Sequence, residues 1–109
     1  MRIITMQEKE LIYKGDTEKK LESFPAEQRE KFVADLVRLQ YGLQPMMKTK
    51  SMQGLGKGVI EICKNGKPAY RVVYVIKDEK VYVLEAFVKT SNQTDSKHEK
   101  TIKQRYRDI

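Results

Sequence analysis

A chain of 109 residues, 39% hydrophobic and 34% charged, has room for one modest core and is too apolar to stay disordered. No apolar run approaches the roughly 20 residues of a membrane span, the polar Met1–Glu10 segment lacks a signal-peptide stretch, and the lone cysteine, Cys63, offers neither a disulfide framework nor a thiol cluster. These features point to a soluble, cytoplasmic protein. The net charge of +7 is concentrated. Residues 44–77 hold seven Lys/Arg against Glu61 alone, whereas residues 1–43 hold eight of each sign and residues 78–109 hold seven against six. Such a patch suits a polyanion or an acidic protein surface.

Glu10–Lys14 (ELIYK) is a short apolar run closed by Gly15-Asp16, and reads as a first strand. Asp16 or Thr17 can cap a short helix through Ser23, with Leu21 and Phe24 facing inward. Pro25 suits the first turn of a second helix, and Glu27 its positive end. Phe32, Leu36, Leu39 and Leu43 then fall at spacings of four, three and four, with Val33 and Val37 alongside. That spacing makes one apolar helical face, ending near Gly42. The stretch from Gln44 to Gly58, with Pro45 and three glycines, has no period and reads as a loop. Three strand signals follow: Val59–Lys64, Ala69–Ile76 and Val81–Val88. Asn65-Gly66 is a strong hairpin signal, and Lys77–Lys80 turns the chain again, so the three form an antiparallel meander. Runs this continuously apolar are covered on both faces. Lys89–Asp95 is a polar loop. Ser96 and Glu99 have capping-box spacing and open a last helix, thinly apolar at Ile102, Tyr106 and Ile109. The order specifies one small α+β domain over residues 1–109.

Four motifs in this order resemble the phage-derived HigB-like branch of the RelE/ParE toxins. They are Lys50-Ser51-Met52-Gln53-Gly54-Leu55-Gly56, Val59-Ile60-Glu61-Ile62, Tyr70-Arg71-Val72-Val73-Tyr74 and Ala86-Phe87-Val88-Lys89. The resemblance runs from the Gly15-Asp16 turn to the basic terminal helix. It implies a twisted antiparallel sheet, the meander plus the N-terminal strand, with a helical hairpin on one face and a C-terminal helix. It also implies a type II toxin that cuts messenger RNA on the ribosome, restrained by a cognate antitoxin that usually carries a helix-turn-helix domain.

Cleavage of that kind uses the substrate's own 2′-hydroxyl as nucleophile. The protein must take its proton, stabilise the charge on phosphorus and protonate the leaving 5′-oxygen. Guanidinium groups suit the second task, being planar, bidentate and always charged. No metal or cofactor is expected, since the chain offers no clustered ligand set. Arg71 lies mid-run in an apolar strand, where an arginine is costly unless it faces a cleft or has a partner. Glu61 or Glu85 could be that partner, while the resemblance matches Arg71 to the family's phosphate-contacting strand arginine. Lys89 falls where the family places a basic active-site residue. Thr90 and Ser91, standing where a second lysine is common, retain hydroxyls for phosphate oxygen. The family's frequent histidine before Ala-Phe is Glu85 here, its strand arginine is Cys63, and Glu61 stands where RelE carries lysine.

His98 is the single imidazole and suits proton transfer near neutrality, although one turn into a polar helix a histidine ordinarily faces solvent. Tyr106 shares the Ile102 face, which reads as packing, and is a second candidate only because some members of the family it resembles use a tyrosine from the terminal helix. Lys48, Lys50, Lys57, Lys64, Lys100, Lys103 and Arg107 are read as cations that hold messenger or ribosomal RNA. Two other function classes use the same features: a ParE-like inhibitor of DNA gyrase without nuclease activity, and a non-enzymatic basic module that binds RNA or protein.

Overall fold

The apolar runs between Val59 and Val88 become the centre of a five-stranded sheet. The computed structural model describes residues 8–90 and 96–109. In chain order the elements are β1 (Glu10–Tyr13), α1 (Thr17–Glu22), α2 (Ala26–Gln40), β2 (Lys48–Ser51), β3 (Ile60–Lys64), β4 (Ala69–Lys77), β5 (Lys80–Lys89) and α3 (Ser96–Arg107). The sheet runs β1-β5-β4-β3-β2, with β3, β4 and β5 forming the expected antiparallel meander. The α+β class expected from the sequence is the one observed.

Two features correct that expectation. β1 pairs in parallel with β5, Glu10 opposite Lys80 through Tyr13 opposite Val83, so the sheet is mixed rather than antiparallel throughout. The second correction is β2. Lys48–Ser51, inside the segment read as loop, pairs antiparallel with β3 as an edge strand. All four of its residues are exposed, so backbone pairing alone holds it and no hydrophobic alternation announces it.

Both faces of the sheet are covered, which explains why β4 and β5 are apolar on both sides over most of their length. On one face Leu21 and Phe24 of the first helical segment, with Phe32, Leu36 and Leu39 of α2, pack on Val72, Tyr74, Val81 and Val83. On the other, Ile102 of α3 and Leu55 of the β2–β3 loop pack on Val73, Val75, Leu84 and Phe87. The apolar face of α2 is narrower than its sequence suggests: Val33 and Val37 are about two-fifths exposed and Leu43 is 46% exposed. Asp16 precedes α1 without a side-chain capping bond. Its carboxylate instead accepts from Arg105 Nη2 at 3.0 Å, fastening α3 to the start of α1.

The two meander turns exchange roles. Asp78 and Glu79 take φ of 53° and 61° between the paired Lys77 and Lys80, a two-residue turn with both central residues left-handed. Asn65-Gly66 opens a four-residue connection instead, with Lys64 opposite Tyr70. Pro68 has no N–H for the ladder that a tighter turn would extend through it. This broader turn becomes a wall of the site.

Candidate active site

Register brings the chemistry together. Lys48 lies opposite Cys63, Cys63 opposite Arg71, and Arg71 opposite Phe87, so β2, β3, β4 and β5 contribute one row to the α3 face of the sheet. Arg71, 8% exposed, is held from several directions. Its Nη1 donates to the carbonyls of Tyr70 at 2.9 Å and Lys64 at 3.3 Å, and its Nη2 donates to Asn65 Oδ1 at 3.0 Å. Its Nε lies 3.5 Å from Glu61 Oε1. Nε and Glu61 Oε2 are both buried without a hydrogen-bond partner among the described residues.

A guanidinium has five N–H groups. The protein contacts account for Nη1 and for one hydrogen of Nη2, while Nε–H is buried and faces Glu61. The Glu61 approach, at 3.5 Å, is longer than a good hydrogen bond. The alternative sequence reading, in which a strand carboxylate pairs Arg71, is therefore realised alongside the cleft.

That cleft, of about 710 Å³, is lined by Asn65, Gly66, Lys67, Pro68, Ala69, Arg71, Lys89 and Thr90. Among the described residues, three cations and no carboxylate line it. Arg71, Lys89 and Thr90, singled out from sequence, come together here, joined by Lys67 and Asn65, which sequence reasoning passed over. Ser91 lies outside the described residues. Lys64 shares its strand face with Ile60 and Ile62, opposite Tyr70, so its side chain leaves from the sheet face opposite Arg71.

His98 does not face solvent as its polar helix suggested. Its side chain is 20% exposed, with Nδ1 3.1 Å from Glu85 Oε2, and its ring stacks on Phe87 at 4.0 Å and 14°. Glu85, 1% exposed, also receives Lys20 Nζ at 3.1 Å and Arg105 Nη1 at 3.4 Å on Oε1. Three charged or titratable side chains, from α1 and α3, thus meet at the Glu85 carboxylate of β5. None of these pairings has a sequence signature. Glu85 alone could have been suspected, as a carboxylate inside an apolar run.

Tyr106 is drawn into packing. Its ring leaves no room for a Cβ at Gly56, which would approach it to 2.7 Å, and its hydroxyl donates to the Lys57 carbonyl at 3.4 Å. Lys48 and Lys50 stand exposed on β2 on the Arg71 face, Lys57 on the β2–β3 loop, and Lys100, Lys103 and Arg107 on the outside of α3. Cys63 is buried; desolvation first, and then the Glu61 carboxylate, push its thiol above the ordinary range, which leaves it inert. The Arg105 hydrogen bond holds the Asp16 carboxyl below its ordinary value.

A buried arginine in a cation-lined cleft, at the end of a sheet packed by helices on both faces, marks the candidate site of a small α+β protein. The chain belongs to the family described as phage derived protein Gp49-like (DUF891), whose profile matches residues 19–107. That family falls within the RelE/HigB-type toxin group. No curated protein matches the chain. Among the described residues no helix is long and apolar enough to cross a membrane.

Proposed function

We propose that the protein is the toxin of a type II toxin–antitoxin pair of the HigB kind, a cytoplasmic endoribonuclease that cuts messenger RNA on the ribosome. One observation carries this reading: Arg71, Lys67 and Lys89 line one cleft, three cations with no carboxylate among its described lining residues. Arg71 and Lys89 hold the scissile phosphate and its developing charge, with Thr90 and Ser91 as supporting hydroxyls. The partner in restraint is a cognate antitoxin, usually one with a helix-turn-helix domain. Family membership favours such a partner.

The cleft is open and its wall has no aromatic platform for single-stranded RNA. The ribosome therefore supplies the alignment of the 2′-oxygen with the leaving group. Purified protein is expected to cut message on programmed ribosomes and to leave naked RNA intact, as read by mapping of RNA ends. Efficient cutting of naked RNA, lost on substitution of Arg71, would refute the ribosome requirement.

The cations on β2 act through affinity. Lys48 and Lys50 are exposed, with no acidic partner among the described residues. Counterion release makes such contacts salt-dependent. Lys48→Ala with Lys50→Ala is expected to weaken ribosome cosedimentation roughly tenfold at low salt and to flatten its salt dependence, while cutting survives at saturation. Unchanged binding at every salt concentration would move these lysines to another task, gripping an acidic antitoxin segment.

The Glu61 contact favours one other reading. A guanidinium already facing a carboxylate is partly neutralised, as suits a ParE-like inhibitor of DNA gyrase. A supercoiling assay separates the two: inhibition of gyrase without RNA cutting selects the second.

A further inference from the structure

The connection between β3 and β4 carries a motif that phosphate binding leaves unused. Asn65-Gly66 is exposed and forms part of the wall of the Arg71 cleft. Asparagine is a thermolabile residue, and one followed by glycine is open to an intramolecular reaction. The glycine main-chain nitrogen attacks the side-chain amide carbon, since no Cβ shields that nitrogen and a glycine backbone turns freely. Three observations favour the reaction at this turn. The Gly66 N–H has no hydrogen-bond partner among the described residues, so no ladder holds the nucleophile back. Gly66 takes φ of 145°, a conformation that other residues rarely adopt. The amide to be attacked is polarised, because Asn65 Oδ1 accepts from Arg71 Nη2 at 3.0 Å. Lys67 and Lys89 line the same cleft. Fixed cations beside an oxygen that becomes negative lower the barrier to attack on its carbon.

We propose that Asn65 is a self-modification site: Arg71 promotes its deamidation, and the carboxylate that forms neutralises Arg71 and closes the cleft to anions. The Gly66 nitrogen bonds to Asn65 Cγ as its proton passes through solvent to Nδ2. The Cγ–Nδ2 bond then breaks, ammonia leaves, and a succinimide ring remains. One water opens the ring at either carbonyl, the nitrogen regains a proton, and aspartate or isoaspartate stands at position 65. Water is the only co-reactant, and nothing is oxidised or reduced. Either product puts a carboxylate where a neutral amide accepted. The guanidinium then faces Glu61 at Nε and a second carboxylate at Nη2. Isoaspartate also adds a methylene to the main chain just before Lys67. The proposal rests on the nuclease reading only for the activity that is lost.

The test ages the full chain in mildly alkaline buffer and follows position 65 by peptide mapping. Binding of a short oligoribonucleotide at low salt is measured beside cutting on programmed ribosomes. Asn92, which precedes Gln93, is the internal reference. Conversion is expected at Asn65 well ahead of Asn92, with binding and cutting falling in step with the converted fraction. Arg71→Ala with Glu61→Gln is expected to convert more slowly, because the polarising contact is gone. Asn65→Asp is expected to melt no lower than the parent, since its carboxylate pairs with Arg71. It is nevertheless expected to bind the oligonucleotide about tenfold more weakly and to cut about 10²-fold more slowly. Asn65→Gln, whose longer side chain closes the ring far less readily, is expected to keep its own starting rate through the same ageing. An Asn65 that outlasts Asn92, or that converts equally fast without Arg71, overturns the proposal. So does an Asn65→Asp chain that binds and cuts like the parent. A parent chain that never cuts ends the nuclease reading alone, because conversion and oligonucleotide binding still decide this one.

Discussion

Arg71→Ala combined with Glu61→Gln is expected to give a folded protein that neither cuts message nor arrests growth, yet is still bound by its antitoxin. The second substitution follows from the structure. The Arg71 and Glu61 side chains are 9% and 4% exposed, so removing the arginine alone strands a buried carboxylate. Breaking a buried pair from one side costs about 3 kcal/mol, a large part of a small domain's stability. The single variant could therefore lose activity by unfolding. Gln keeps the shape of Glu61 without its charge, so the double variant is expected to melt within a few degrees of the parent. Arg71→Lys is expected to retain a small fraction of cutting, because one ammonium replaces a fork whose other hydrogens brace Tyr70, Lys64 and Asn65. Thermal unfolding together with RNA-end mapping decides the matter. A folded double variant that still cuts would end the phosphate-clamp role of Arg71.

Asp35→Ala is expected to be the most damaging polar substitution remote from the cleft. Asp35 is 1% exposed on the inner side of α2. Its two oxygens accept the backbone N–H groups of Met46 and Met47 at 2.8 and 3.0 Å. It fixes the path from α2 into β2, and through β2 the placement of Lys48 and Lys50. Alanine would remove two charge-assisted bonds and leave two N–H groups unpaired, a loss of about 3 kcal/mol. Asn would recover one bond and set its amide against the other N–H. Chemical denaturation measures the loss, and amide exchange at Met46 and Met47 locates it. Parent-like exchange at both amides would show that the carboxylate does not organise this connection. The same buried carboxylate acts on Tyr74, whose hydroxyl is pushed up mainly by burial and then by Asp35.

What local chemistry writes into the chain was readable from it. The meander follows from apolar runs and turn residues, the second helix from its four-three-four spacing, and α3 from Ser96 and Glu99. Arg71 was conspicuous because an arginine inside an apolar strand must be either paired or facing a cleft, and it proved to be both. The concentration of positive charge in residues 44–77 was likewise visible, and it supplies Lys67 and Arg71 to the cleft as well as Lys48 and Lys50 to the edge of the sheet.

Tertiary structure alone decided the rest. Parallel pairing of β1 with β5 joins segments about 70 residues apart, and no local pattern distinguishes a parallel edge from an antiparallel one. β2 is a strand because β3 offers it a ladder, since Lys-Thr-Lys-Ser carries no alternation of its own. Carboxylates find partners distant in the chain: buried Glu85 takes Lys20, 65 positions away, and exposed Asp16 takes Arg105, 89 positions away. Burial reverses the meaning of such residues. His98 reads as a solvated side chain in its helix and becomes an oriented imidazole only when the fold lays that helix across Phe87 and Glu85. Periodicity and turn chemistry act over a few residues and are legible in order along the chain. Charge pairing in a dry interior acts between residues that only the closed sheet brings together.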